Sequence, residues 1–341
     1  MGWEGNITRR EFLQVSMAAG LAPALGGGPV RAAGPDSTEL PRRPLGRTGE
    51  LVSIVGMGGF HIGKQEDERE SLRLIRGAID GGITFMDNCW DYNAGQSEVR
   101  MGKALRDGYR GRVFLMSKID GRDRATAAKQ IDESLRRLQT DRLDLMQLHE
   151  VIYPEDPARA FAPGGAIEAL AAAKKAGKVR FIGFTGHKSP DIHLAMLRAA
   201  DQHGFRFDAV QMPLNVLDAH HDSFEKKVLP VLVQKGLGVL GMKPMGDGLI
   251  LKSKAASAEE CLRYAISVPG VSVTITGIDT PAVLEQDLRL AHGFQPLGEH
   301  ERAALLARTA RTAQGGSWEK YKTAHEFDGT RGNPEWLGPK A

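Results

Sequence analysis

The sequence has few cysteines and little net charge, and each shortage excludes a class of protein. Cys89 and Cys261 are the only cysteines among 341 residues, so neither a disulfide framework nor a multi-cysteine metal site is available. We expect both thiols to be free and buried. The formal net charge is +3, and no block of lysine and arginine marks a nucleic-acid-binding face. The remaining composition, 41% hydrophobic and 26% charged, is that of an ordinary globular protein.

The first 32 residues differ from the rest and have the features of a signal peptide. Arg9 and Arg10 are followed by an Ala/Gly-rich apolar stretch, too short and too glycine-rich to span a bilayer, and by a small-residue cleavage site at Ala32. The segment "TRREFL" resembles the twin-arginine (Tat) export signal, whose pathway carries folded proteins. The alternative is a disordered leader in which two arginines are adjacent by chance, but the spacing of the apolar run argues against this interpretation. We predict a Tat-type signal peptide over residues 1–32, with membrane contact only during export to the periplasm or another extracytoplasmic space.

After this leader, eight short apolar runs recur at a nearly constant spacing of roughly 30 residues, the size of a strand plus a crossover helix. Near-continuous apolar strands alternating with amphipathic helices are typical of a parallel sheet covered by helices. We predict a (β/α)8 TIM barrel as a single domain over residues 41–313. A hairpin over "PRRPLGRTGELVS" precedes it and would cover its N-terminal mouth. The runs end near residues 57, 87, 118, 149, 185, 211, 243 and 277.

Local patterns locate individual helices and the end of the domain. Ser257 and Glu260 have the spacing of a capping box before the seventh helix. Residues 314–341 form a polar C-terminal tail that cannot build a core, and we expect it to lie over the barrel near the mouth. A helical pattern between the third and fourth strands places four apolar residues on one face: Ala128, Ile131, Leu135 and Leu138.

Polar residues gather at the carboxyl ends of the predicted strands, where barrels of this kind carry their chemistry. Asp87 and Tyr92 follow the second strand, Lys118 the third and His149 the fourth. A phenol titrates near pH 10, so we expect the ammonium of Lys118 to lower the pKa of Tyr92, with Asp87 as its counter-charge. His149 would hydrogen-bond a substrate oxygen. A polarised carbonyl beside a proton donor suits a reaction in which another group delivers hydride.

From about Pro41 to His292 the chain resembles the aldo-keto reductases, in the segments "DNCWDYNAGQSE", "SKI", "DLMQLHE" and "GFTGHKS". That family carries an Asp-Tyr-Lys-His tetrad at the strand ends of its barrel. The resemblance implies an NAD(P)H-dependent oxidoreductase that interconverts a carbonyl (aldehyde, ketone or sugar) and an alcohol. It implies that Tyr92 is the general acid/base, that Lys118 and Asp87 tune it, and that His149 orients the carbonyl.

The resemblance also implies a nicotinamide cofactor, NADP(H) or NAD(H), held along the barrel mouth. The glycine-containing loop near His61 matches neither the dinucleotide fingerprint nor the phosphate loop. The match to the phosphate loop is broken by Gln65, where that motif has serine or threonine. The family needs neither motif. The implied cofactor-binding residues are Thr185, Gln211, Lys243, Gly246, Gly277, Asp279 and Asp287.

Three positions depart from the family pattern. Gly186 replaces an asparagine, so one bond to the carboxamide is lost or is made by His187. Leu214 replaces the aromatic residue that stacks on the nicotinamide, and plain core packing is the better interpretation. Val283 replaces an arginine that clamps the 2′-phosphate, which leaves a preference for NADP(H) over NAD(H) unsupported.

Other functions fit the sequence less well. A cofactor-binding regulatory or sensing barrel with little turnover is the alternative, since some relatives act in this way, although an export signal argues against a cytoplasmic subunit. A barrel isomerase or hydrolase would need paired acids at the strand ends, and none are present. The adjacent His220, His221 and Asp222 suggest a solvated loop rather than a metal site. We therefore expect no metal, a small-molecule carbonyl or alcohol as substrate, no nucleic acid, and a monomer or small homo-oligomer.

Overall fold

The computed structural model describes residues 39–339, and the predicted signal peptide lies outside the described residues. Its centre is a closed barrel of eight parallel strands in chain order, so the predicted fold class is confirmed. The hairpin consists of β1 (Arg42–Pro44) and β2 (Leu51–Ser53), which pair antiparallel. The barrel strands are β3 (Val55–Gly58), β4 (Phe85–Asp87), β5 (Phe114–Ile119), β6 (Leu143–Leu148), β7 (Val179–Thr185), β8 (Ala209–Pro213), β9 (Gly238–Met242) and β10 (Val273–Gly277). Each predicted strand end lies within two residues of the observed one.

Helices cover the outside of the barrel and bury an apolar layer against the strands. None of the helices in residues 39–339 is long and apolar enough to cross a membrane. The helices are α1 (Gly59–Ile62), α2 (Glu68–Asp80), α3 (Gln96–Ala104), α4 (Arg124–Leu138), α5 (Asp156–Phe161), α6 (Ala166–Lys175), α7 (Pro190–Gln202), α8 (Phe224–Lys227), α9 (Leu229–Lys235), α10 (Leu249–Ser253), α11 (Ala258–Ser267), α12 (Pro281–His292), α13 (Glu299–Thr309), α14 (Lys320–Thr323) and α15 (Gly329–Gly332).

The local helix predictions are confirmed with one exception. Ser257 and Glu260 form the predicted capping box at the start of α11. In α4, however, Ala128 is exposed and Ala127 is buried instead. The side chain of Gln130 also lies on the inward face of α4, where it accepts hydrogen bonds from main-chain N–H groups. The buried face of the helix is therefore centred one residue earlier than the apolar residues alone indicate.

The hairpin closes the N-terminal end of the barrel, as predicted. Leu45 and Val52 are fully buried and join the apolar cluster inside the barrel, which includes Phe85 and Phe114. The main-chain N–H of Arg47 also donates to a carbonyl in the turn before β9, at 3.1 Å. Since this end is plugged by apolar side chains, only the carboxyl ends of the strands are open to a substrate.

Residues 314–339, called the C-terminal strap below, pack over those carboxyl ends. The strap reaches the loops after five consecutive strands, from β4 to β8. The carboxylate of Glu150, after β6, accepts the main-chain N–H groups of Gly329 and Thr330 at 2.9 and 2.8 Å. Asp328 pairs with Lys188, after β7, at 2.7 Å. The strap is thus held by buried polar contacts and forms one wall of the mouth.

Close packing of α3 on α4 depends on Gly102, which yields a stability prediction. A Cβ at this position would lie 2.5 Å from the main-chain oxygen of Arg137. We expect Gly102→Ala to lower the free energy of unfolding by about 1–3 kcal/mol because backbone must move to admit the methyl group. Gly111→Ala is the control, because nothing lies within 4 Å of its Cβ, and urea unfolding measures both. Equal stabilities of the two variants would contradict the packing argument.

Candidate active site

A buried ion pair forms the centre of the mouth. The Nζ atom of Lys118, on β5, makes a salt bridge with Oδ1 of Asp87, the last residue of β4. The same ammonium donates to the main-chain oxygen of Asn88 at 2.8 Å and to the hydroxyl of Tyr92 at 3.2 Å. The side chains of Lys118 and Asp87 are only 1% and 4% exposed. The structure therefore brings three of the four predicted catalytic residues into direct contact.

Tyr92 is presented by a strained turn. It opens a 3₁₀ turn over Tyr92–Gly95, in which Asn93 and Ala94 have φ angles of 52° and 53°, in the left-handed region. The side chain of Asn93 donates to the main-chain oxygen of Phe60 at 2.7 Å and to Ser97 at 2.9 Å, which fixes the turn. Strain held in this way is common where a side chain must be aimed at a site.

The electrostatics of Tyr92 differ from the sequence-based expectation. Burial raises the pKa of Tyr92 well above its ordinary value, and the carboxylate of Asp87 raises it further. The predicted net lowering of the Tyr92 pKa is therefore wrong, and the phenol stays protonated at neutral pH.

His149 lies across the mouth from Tyr92, with ring centroids 5.8 Å apart. Its Nδ1 atom lies 2.9 Å from Oδ1 of Asp120, which fixes the ring. Burial lowers the pKa of His149, but Asp91 and Asp120 outweigh this and leave the pKa above its ordinary value. The carboxylates thus favour the imidazolium, in which Nδ1–H bonds the carboxylate of Asp120 and Nε2–H is a donor for a substrate oxygen.

Three groups around His149 were not predicted as site residues. Cys89 is fully buried, with its Sγ 3.3 Å from Nδ1 of His149, and Asp91 Oδ1 lies 3.6 Å from the same atom. Burial and neighbouring Asp120 raise the pKa of Asp91 to about 6. A usable sequence signal existed, since Asp120 follows Lys118 by two residues, directly after the end of β5, where the alternation of the strand would turn both side chains to the same side.

The predicted cofactor residues divide into two groups. Thr185, Gln211 and Lys243 lie at consecutive strand ends around the ion pair, and Gln211 Nε2 donates to Oδ2 of Asp87 at 3.0 Å. The Oε1 atom of Gln211 is buried and has no hydrogen-bond partner among the described residues. Lys243 lies over the rings of Tyr321 and Phe327, with its Nζ 5.6 and 5.4 Å from their centroids.

The second group comprises Gly246, in the loop after β9, and three residues from the end of β10 into the helix that follows it. Gly277 is covered by the ring of His61, which leaves no room for a Cβ. Gly246 has a φ of 55°, and Asp279 is exposed. Asp287 is fully buried in α12, where burial raises its pKa to about 6. Asp287 is therefore the most enclosed of the predicted residues.

The departures from the family pattern have plain structural explanations. Leu214 is fully buried and packs near Gly241, as the core-packing interpretation expects. Nε2 of His187 lies 3.1 Å from Asp328 in the strap, so this ring is engaged and the alternative of a lost carboxamide bond is favoured.

The side chains of the loop after β8 diverge, because His220 contacts Thr309 at 3.2 Å and Asp222 contacts Lys227 at 2.7 Å.

These features define a barrel enzyme whose site joins a buried lysine, a phenol and a histidine, and comparisons identify its family. Residues 54–260, more than half of the chain, match the model of the Aldo/keto reductase family, and the chain belongs to that family. L-galactose dehydrogenase of Arabidopsis thaliana is 28% identical over 306 residues, 76% of this chain and 91% of its own. The uncharacterized oxidoreductase YrpG of Bacillus subtilis is 29% identical over 238 residues, 62% of this chain and 70% of its own. The holo form of aldo-keto reductase AKR11C1 from Bacillus halodurans shares the fold, with a TM-score of 0.67, 22% identity, and coverage of 82% of this chain and 100% of its own.

The family supports a general oxidoreductase acting between carbonyls and alcohols, and its members typically use nicotinamide cofactors.

The buried ion pair yields a second stability prediction. We expect Lys118→Met to lower the free energy of unfolding by about 3–5 kcal/mol, because it leaves the carboxylate of Asp87 buried and uncompensated. The double variant Asp87→Asn/Lys118→Met should recover much of this loss. Lys178→Met is the control, since its pair with Asp132 is exposed and is worth at most about 1 kcal/mol. A double variant no more stable than Lys118→Met, in urea unfolding, would show that the uncompensated charge is not the cause.

Proposed function

We propose that the protein is an NAD(P)H-dependent oxidoreductase that interconverts an aldehyde, ketone or sugar carbonyl and its alcohol, with Tyr92 as general acid/base. One observation carries the proposal: the hydroxyl of Tyr92 lies 3.2 Å from the ammonium of Lys118, at a mouth that His149 also faces. A phenol donor and an imidazole donor aimed at one oxygen are the groups that carbonyl reduction requires.

In the direction of reduction, the raised pKa of Tyr92 keeps its proton available for the carbonyl oxygen. Lys118 stabilises the phenolate as the proton leaves, and the carboxylate of Asp87 is the buried counter-charge of its ammonium. His149 donates from Nε2 to the same oxygen and fixes its position. Oxidation of an alcohol requires the phenolate first, so alkaline pH favours that direction.

The chain's own residues fit a nicotinamide cofactor. The unpartnered Oε1 of Gln211 is an acceptor for a carboxamide N–H group beside the ion pair. Lys243 has no carboxylate within ion-pair distance among residues 39–339, and its ammonium suits a phosphate. When bound, the reduced cofactor supplies the hydride. Val283 offers no charge for a 2′-phosphate, so either NADP(H) or NAD(H) fits the site.

The C-terminal strap contributes ring surfaces to the mouth that suit a small-molecule substrate. The ring of Trp336 in the strap meets the ring of Trp90 edge to face, at 5.9 Å between centroids. Trp90 also donates to Glu133 at 2.7 Å, which fixes its indole beside the mouth. Apolar ring surfaces next to polar donors suit a compact carbonyl compound, and a sugar is consistent with the relative named L-galactose dehydrogenase.

Removal of one hydroxyl tests the role of Tyr92. We expect Tyr92→Phe to lower turnover of a reducible aldehyde by about 10²- to 10⁴-fold, the usual contribution of a positioned general acid. The dissociation constants of NADPH and NADH, from fluorescence titration, should stay nearly unchanged. Tyr109→Phe is the control, because its hydroxyl contacts Asp80, away from the mouth.

Two outcomes would contradict this proposal. Wild-type turnover in Tyr92→Phe would mean that another group donates the proton. Tight binding of either cofactor without turnover of any aldehyde, ketone or sugar by the wild-type chain would instead favour a regulatory or sensing barrel.

We also propose that the protein is exported in folded form by the twin-arginine pathway. Replacing Arg9 and Arg10 by lysine keeps the charge but removes the guanidinium geometry that a receptor reads. We expect this double variant to stay in the cytoplasm as a folded enzyme with unchanged turnover. The control replaces Arg69 and Arg73, exposed on α2, by lysine. Cell fractionation with an activity assay decides, and equal export of both double variants would refute the twin-arginine proposal.

A further inference from the structure

A compact group of donor atoms lies on the side of His149 that faces away from the predicted substrate. Its members are Cys89, Asp91, Asp120 and His149, and one ligand atom from each lies within 4.8 Å of all the others. Around Nδ1 of His149 the three partners stand at 2.9, 3.3 and 3.6 Å. Ligand atoms of a tetrahedral zinc ion, at bonds of about 2.0–2.3 Å, are separated by about 3.3–3.8 Å. The three distances to Nδ1 are close to these separations, and the widest pair of ligand atoms, up to 4.8 Å apart, must close by about 1 Å for the group to enclose one ion.

The hydrogen bonds within this group leave two oxygens unused. Asp120 is fully buried, yet its Oδ2 atom has no hydrogen-bond partner among the described residues. Oδ1 of Asp91, the atom nearest to His149, is also buried and unpartnered. Buried polar atoms in proteins are nearly always satisfied, so two unpartnered carboxylate oxygens, on residues that both flank one imidazole, indicate a missing partner.

The surrounding charges point to a cation as this partner. Arg122 lies close to the group, but its guanidinium is bonded to Asp156 at 2.8 Å and to main-chain carbonyls. The ammonium of Lys118 is committed to Asp87. Two carboxylates are thus left around a single imidazole, and buried charge without a counter-charge is costly.

We propose that Cys89, Asp91, Asp120 and His149 form a binding site for a divalent transition-metal ion of the zinc class. Sulfur, imidazole and carboxylate donors in one four-membered set suit zinc or cobalt and do not suit magnesium or calcium, which require oxygen ligands. Binding releases two protons to solvent, the thiol proton of Cys89 as the thiolate forms and the Nδ1 proton of His149 as that nitrogen becomes a ligand. The ion takes Nδ1 of His149 as its ligand, so the ring keeps its proton on Nε2, the atom that faces the substrate.

Cobalt provides a test that does not depend on enzyme activity. The full-length protein is stripped with a chelator, titrated with Co²⁺ or Zn²⁺, and dialysed, and bound metal is measured by atomic emission. We expect one ion per chain and, with cobalt, a near-ultraviolet thiolate-to-metal charge-transfer band. Asp120→Asn should weaken binding by at least about tenfold, and Cys89→Ala should abolish the band.

Cys261→Ala is the matched control, because Cys261 is also free and buried but lies outside the group. It should keep both the stoichiometry and the band. Circular dichroism of each variant excludes loss of the fold as the cause. The proposal would be overturned if the wild-type protein retained no metal after dialysis, or if the charge-transfer band persisted in Cys89→Ala. Failure of the oxidoreductase proposal leaves these readouts unaffected, since none of them uses a substrate or a nicotinamide cofactor.

Discussion

The salt bridge between Lys118 and Asp87 is the interaction on which the rest of the mouth depends. Charges buried to this degree persist only when each finds a partner of good geometry. Neighbouring parallel strands supply that geometry, because their carboxyl ends meet at one rim of the barrel. The pair then fixes other groups, since Lys118 contacts Tyr92 and Asp87 accepts from Gln211. A single ion pair thus sets the positions of residues from three different strand ends.

Most of the fold could be predicted from the sequence, because its signals are local. Apolar runs at a steady spacing specify strands whatever surrounds them, and the capping pair Ser257 and Glu260 acts within one helical turn. The face of α4 could not be predicted from apolar residues alone. Gln130 lies inward because main-chain N–H groups at the end of β5 require an acceptor, and this need arises only in the assembled barrel.

The candidate site shows the same division. Asp87, Tyr92, Lys118 and His149 could be placed from their strand ends, since the topology brings those ends together. The direction of the pKa shift at Tyr92 could not be predicted from the sequence, because it depends on burial and on every nearby charge rather than on one partner. The cluster around His149 was missed for a related reason. Cys89 and Asp91 belong to a turn, and turns carry no periodic signal of where their side chains point.

The C-terminal strap has a consequence for the order in which the protein acquires its site. Chains are synthesised from the N-terminus, and the barrel strands end at residue 277, whereas Trp336 and Leu337 contact Trp90 and Arg122. One wall of the mouth therefore comes from residues that are synthesised after every barrel strand. A nascent chain can complete its barrel while the mouth still lacks that wall. Completion of the barrel strands and completion of the mouth are thus separate events in the synthesis of the chain.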